Sequence, residues 1–183
     1  MDTLYVLYIV TGVLGTAVAF FIFLSRKRDR MICFKLADDV LWSLNFFFKG
    51  AIAFAGCAQN AIAIARELIF YFKGKKKWAS SSVWLWLFIL FFATIPLYTW
   101  AGAKSILPAV ASILSTIGFY FRNPHNTRII NLFAQTIMIV YASLVYNYFS
   151  LVCSSGMLLS AVIGLIADVR DKNKAREEAL PKE

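Results

Sequence analysis

The side chains best suited to chemistry in this chain are ionisable residues set in apolar surroundings: Lys35, Asp38 and Asp39 in one stretch, Arg66 and Glu67 in another. Lys35 and Asp39 stand four apart, which places them on one helix face as a neutralising pair, and Asp38 or Asp39 could meet Arg66 from a neighbouring helix. A charge at the centre of a bilayer costs ~2.5–3.5 kcal/mol, so such residues need partners or a task. Two roles fit: an ion-pair lock near a gate, or a carboxylate whose proton affinity follows its surroundings. Uncharged binding groups accompany them. Trp42 offers a stacking face and Asn60 an amide that donates and accepts, while Asn45, Gln59 and Gln135 add further amides. Indole and amide together suit a small neutral polar solute. As packing groups they would contribute only an interhelical contact of ~0.6 kcal/mol.

Catalysis has little to work with. The single histidine, His125, lies in the turn formed by Asn123, Pro124, His125 and Asn126, and no nucleophile motif, metal-ligand set or glycine-rich phosphate loop accompanies it. Cys33, Cys57 and Cys153 fall in or beside apolar segments without metal-ligand spacing and read as packing thiols. The expectation is a protein that is not an enzyme and uses no cofactor or metal.

The elements that must position these groups follow from composition. Of 183 residues, 60% are hydrophobic and 16% charged, with a mean hydropathy of +0.68. A water-soluble domain of this length cannot bury that much apolar surface, whereas lipid can cover it from outside. The first apolar run has no basic region before it and is too long for a cleavable signal. Seven segments reach the length for spanning the ~30 Å hydrocarbon layer: 4–24, 31–48, 51–72, 82–99, 104–121, 128–147 and 149–168. The fold class is therefore all-α, a multi-pass membrane protein.

The net charge of +9 reads as topology rather than as a nucleic-acid footprint, because the basic residues fill the gaps between apolar runs. Alternate connections hold Arg26, Lys27, Arg28 and Arg30; Lys73, Lys75, Lys76 and Lys77; Arg122 and Arg128; and Arg170, Lys172, Lys174, Arg176 and Lys182. The other connections hold only Lys49 and Lys104. That sorting predicts an odd number of spans, with the N-terminus outside and the C-terminus in the cytoplasm. Trp78, Trp84, Trp86, Tyr98 and Trp100 flank or enter the fourth span as interfacial anchors.

A weak internal repeat appears when the fourth span is set aside. Phe21, Phe23 and Arg30 recur as Phe119, Phe121 and Arg128 at the same spacing; Trp42 then matches Tyr141, and Asn60 matches Ser160. Spans one and five run in the same direction, which predicts a 3+1+3 plan of two parallel three-helix bundles with a solute site at mid-depth between them. The expected divisions are 1–73, a linker span over 74–101, a second bundle over 102–170, and a solvated, frayed tail over 171–183. Small residues such as Gly12, Gly15, Ala111 and Gly118 on spans one and five predict close helix approach, and Pro96 and Pro108 are candidate hinges.

The run from Ser25 through Arg30, Lys35, Asp38, Asp39, Trp42 and Asn45 to Lys49, Gly50 and Ala51, followed by Asn60, Arg66 and Glu67, resembles the YgjV-type bacterial inner-membrane proteins. Trp100, Ser105, Pro108, Ala111 and Ser112 through Phe119 and Arg128 extend the resemblance over nearly the whole chain. That family is similar to the SWEET, SemiSWEET and PnuC transporters. The resemblance implies a small-solute transporter of two three-helix bundles, with a second-helix tryptophan and a third-helix asparagine lining the pocket. Trp42 and Asn60 match those two positions, Tyr141 and Ser160 are the second-half counterparts, and Asn45 stands where many relatives would carry histidine. The expected partners are a lipid bilayer and a small solute, and no nucleic acid; the chain could also self-associate. The alternative is a non-transporting receptor or scaffold on the same fold.

Overall fold

The structure, a computed structural model, describes residues 3–49, 54–98 and 103–178. Gly50, Ala51, Trp100 and Lys182 lie outside the described residues. Within them the chain is helical, in the order α1 (Thr3–Ile22), α2 (Arg28–Lys49), α3 (Phe54–Phe72), α4 (Val83–Tyr98), α5 (Ile106–Tyr120), α6 (Pro124–Leu144) and α7 (Tyr148–Glu178). Short 3-10 turns, Trp78–Ser80 and Ala103–Ser105, precede α4 and α5. The clearest cap is at α6, where the Asn123 side chain accepts from the His125 backbone N–H and Pro124 takes the first helical position.

The polarity of the packed helices is inverted relative to a water-soluble protein. Leu90, Phe133, Val152 and Ile166 are exposed, whereas Arg66, Glu67, Arg128 and Asn131 are buried, each at 2% exposure or less. An apolar exterior of this extent is stable only in lipid. Four helices are long and apolar enough to cross a membrane: α1, the stretch 103–120 containing α5, α6 and the apolar part of α7. α4 is apolar but only 16 residues long. α2 and α3, of 22 and 19 residues, have the length, but their inward charges lower their hydropathy.

The packing runs around a circuit. α1 packs between α2 and α7, α2 between α1 and α3, and α6 between α5 and α7; α4 lies along α5 and touches α3, and α3 meets α5. A phenylalanine-rich core fills one end of this circuit, with Phe23, Phe70 and Phe119 almost wholly buried beside Ile22, Met31 and Ile32. The tail departs from expectation. α7 continues to Glu178, so residues 171–178 are helical rather than frayed: the helix is already nucleated in the apolar stretch, and strong helix formers propagate it. Arg26 pairs with Asp171 at 2.7 Å there, tying the α1–α2 connection to α7.

Candidate functional site

Inside the circuit lies a cavity of about 480 Å³. Six helices contribute to its wall, and most of the lining residues lie from mid-helix toward the ends remote from the basic connections. α2 presents Lys35, Asp38, Asp39 and Trp42, and α3 presents Gln59, Asn60 and Arg66. Gln135 and Tyr141 face them from α6, Ser112 from α5, Phe92 from α4 and Cys153 from α7. Trp42 reaches its place because α1 offers a glycine beside it. A Cβ on Gly15 would stand 3.2 Å from the Trp42 Nε1, so the close approach of α1 and α2 depends on that missing side chain.

The ionisable residues form two adjoining groups. Lys35 bridges both carboxylates of its own helix, donating to Asp38 at 3.0 Å and to Asp39. Arg66 does not reach across to Asp38 or Asp39, contrary to expectation. Its Nε and Nη2 donate to its chain neighbour Glu67, at 3.0 and 2.6 Å, and its Nη1 donates to Thr116 of α5 at 2.8 Å. The reason is local, since Glu67 stands next to Arg66 in the chain and Lys35 lies within reach of one oxygen of each aspartate. The Arg66 guanidinium also lies 5.3 Å from the centre of the Phe92 ring. Gln59 joins α3 to α5 by donating to Ser112 at 3.0 Å.

The expected site residues are not all brought together. Trp42, Asn60, Tyr141, Gln59 and Gln135 line the cavity with Lys35, Asp38, Asp39 and Arg66, and Glu67 lies buried behind Arg66. Asn45 does not line it. Its amide donates to Tyr8 O at 2.6 Å and Thr11 Oγ1 at 3.2 Å, so it ties α2 to α1 on the outer side of the wall. Ser160 does not line it either. It is fully buried and returns its hydroxyl to Met157 O at 2.9 Å, because its phase on α7 turns it into the helix packing. Ser112, Phe92 and Cys153 belong to the wall but were not among the expected residues; their small or apolar side chains carry no chemical signal in the sequence.

At the basic end, two arginines close the circuit in a reciprocal way. Arg28, at the start of α2, donates to Phe119 O and Phe121 O at the end of α5 and to Phe70 O of α3, at 3.1, 2.9 and 3.1 Å. Arg128, near the start of α6, donates to Phe23 O and Ser25 O at the end of α1, both at 2.8 Å, and pairs with Asp168 of α7. Each arginine thus donates to carbonyls at helix ends, with its charge at the negative pole of the helix dipole. Between them Phe23 and Phe119 stack with ring centres 6.1 Å apart. The equivalence differs from the one expected: Arg28, not Arg30, is the counterpart of Arg128. Arg28 shares a helix face with buried Met31 and Ile32, while Arg30 is exposed. His125 is drawn into the same corner, its Nδ1 3.1 Å from Asp168.

An all-helical chain with an apolar exterior, ion pairs within and several helices able to span a bilayer is a multi-pass integral membrane protein. It belongs to the Imp-YgjV family of bacterial inner membrane proteins, whose family model matches residues 7–172, and its place is the bacterial inner membrane. Comparison with curated proteins and with solved structures finds no match.

Proposed function

We propose that the chain carries a small polar solute across the inner membrane by alternating access. In this reading it crosses the bilayer seven times, with α1–α3 and α5–α7 as two parallel bundles joined by α4. The basic connections face the cytoplasm, which puts the N-terminus outside and the C-terminus inside. The reciprocal packing supports the bundle plan, since α1 meets α2 and α7 as α5 meets α6 and α3. The sorting of basic residues supports the orientation. α2 and α3 cross in spite of their charges because those charges are paired and face the interior. The partners are lipid and the solute. No chemical step is assigned to the protein.

The observation that carries the proposal is the cavity itself: about 480 Å³, lined by α2 and α3 as well as α5, α6 and α7, and shut at the basic end by the arginine pair and the Phe23–Phe119 stack. A scaffold has no need of a chamber between its helices, whereas a carrier requires one. The test is uptake by proteoliposomes across sugars, nucleosides, vitamins and small amines. Asn60→Ala should lower uptake by about tenfold, the effect of one hydrogen bond to the moving solute, while insertion and oligomeric profile stay unchanged. If nothing crosses and a protein partner co-purifies instead, the protein is a receptor or scaffold.

A further inference from the structure

The balance of donors and acceptors in the cavity wall names a class of solute. Asp38 and Asp39 of the wall and Glu67 behind it share the two cations Lys35 and Arg66. Lys35 donates to the two aspartates, and Arg66 to Glu67 and Thr116. Arg28, the next cation toward the basic end, commits its N–H groups to three backbone carbonyls and does not line the cavity. The acceptors are left over. The buried side-chain atoms without a partner among the described residues are Asp38 Oδ1, Asp39 Oδ2, Glu67 Oε2 and Gln135 Oε1, every one an acceptor.

Gln135 makes this more than an acidic cluster. It stands on α6, facing the carboxylates of α2 across the same cavity, at 6% exposure. A buried acceptor without a donor is unfavourable, and these four acceptors are completed by a ligand that brings hydrogens and positive charge. Trp42 and Tyr141 add aromatic rings to that wall, and ring faces attract cations. We infer that the cavity binds a small organic cation with N–H donors, an amine or a guanidinium, seated between Asp38 and Asp39 on one side and Gln135 on the other. This rests on the carrier reading and changes its solute from a neutral molecule to a cation.

The charge preference can be read without knowing the natural solute. On a background of Cys33→Ser, Cys57→Ser and Cys153→Ala, Met138→Cys places a reporter thiol in the cavity wall, outside the proposed binding groups. The purified protein is treated with a trimethylammonium-ethyl or a sulfonatoethyl methanethiosulfonate, and the rate ratio is normalised to free 2-mercaptoethanol. The cationic reagent should be favoured about tenfold beyond the free thiol, as expected of a site that concentrates one sign of charge. Asp39→Asn should remove most of that preference. Butylguanidinium should slow labelling where its neutral isostere butylurea does not, and Gln135→Leu should weaken this protection while leaving the charge ratio in place. A wild-type-cavity ratio at or below that of the free thiol overturns the inference, and so does equal protection by the two isosteres. Should Asp39→Asn fail to fold, Asp38→Asn and the unsubstituted ratio still decide. A high ratio with selective protection, but no uptake of any solute, upholds the cation site and sinks the carrier reading instead.

Discussion

Gly164 is where a single atom separates a closed basic end from a disrupted one. An alanine Cβ there would lie 2.4 Å from Phe23 O and 2.5 Å from Arg128 Nε, both parts of the arginine clasp. Neither can retreat freely, because the carbonyl ends α1 and the guanidinium is held by Ser25 O and Asp168. Gly164→Ala should therefore cost about 1–3 kcal/mol through overpacking, seen as a lowered melting temperature in detergent. Gly156→Ala on the same helix meets nothing nearer than Phe20 at 3.8 Å and should be nearly neutral, so equal losses in the two variants would refute this account. Residue-level chemistry was legible in part. Lys35 and Asp39 could be paired from their spacing alone, because i, i+4 geometry is fixed by the helix. Ser160 and Asn45 could not be placed, since which polar side chain of a helix turns to a cavity and which to a neighbouring helix depends on the packing. The choice of Arg28 over Arg30 was available in the phase of Met31 and Ile32.

At the scale of elements, the connection from α3 to α4 is held to the end of α5 by Lys73. Its ammonium donates to Tyr120 O at 2.7 Å and lies against the Tyr120 ring, 2.8 Å from its centre. Burial, and then the positive charges of Arg28 and Arg122, lower its pKa to about 8. An unfolded lysine holds its proton to about pH 10.4. Between those values the unfolded chain binds a proton that the folded chain has released, so folding becomes more favourable as pH rises from about 8 toward 10. Melting temperatures in detergent at about pH 7 and about pH 9.5 should rise with pH more in the wild type than in Lys73→Met. An identical pH response in the two proteins would rule out this lysine as the titrating group. The existence and order of the helices were readable because apolar runs and charged gaps alternate along the chain. The tail was not, since its mixed charges look alike in a frayed segment and in a continuing helix. The weak apolar character of α2 and α3 is the visible trace of the site, because the charges that lower it are the ones the packing turns inward.

For the whole molecule, the question is what holds the basic end shut while the cavity lies toward the other. Arg28 reaches from α2 to the end of α5 and Arg128 from α6 to the end of α1, so these helices are tied twice at one end. Hydrogen bonds from charged groups contribute roughly 1.5–3 kcal/mol each, and a carrier must give up this whole set to open toward the cytoplasm. In the carrier reading proposed above, the clasp sets the balance between the two access states, and weakening it by about 3 kcal/mol should shift that balance roughly a hundredfold. Ala63, on α3, lines the cavity and is 6% exposed, which makes Ala63→Cys a reporter of access. In proteoliposomes, on the background of Cys33→Ser, Cys57→Ser and Cys153→Ala, an impermeant thiol reagent applied at the basic side should label this cysteine slowly. The Arg28→Gln, Arg128→Gln pair should label at least about tenfold faster from that side, with each single variant between, since each arginine secures a different helix end. Unchanged labelling in a monodisperse double variant would mean that the aromatic stack alone closes this end. The arginines would then be helix caps and nothing more.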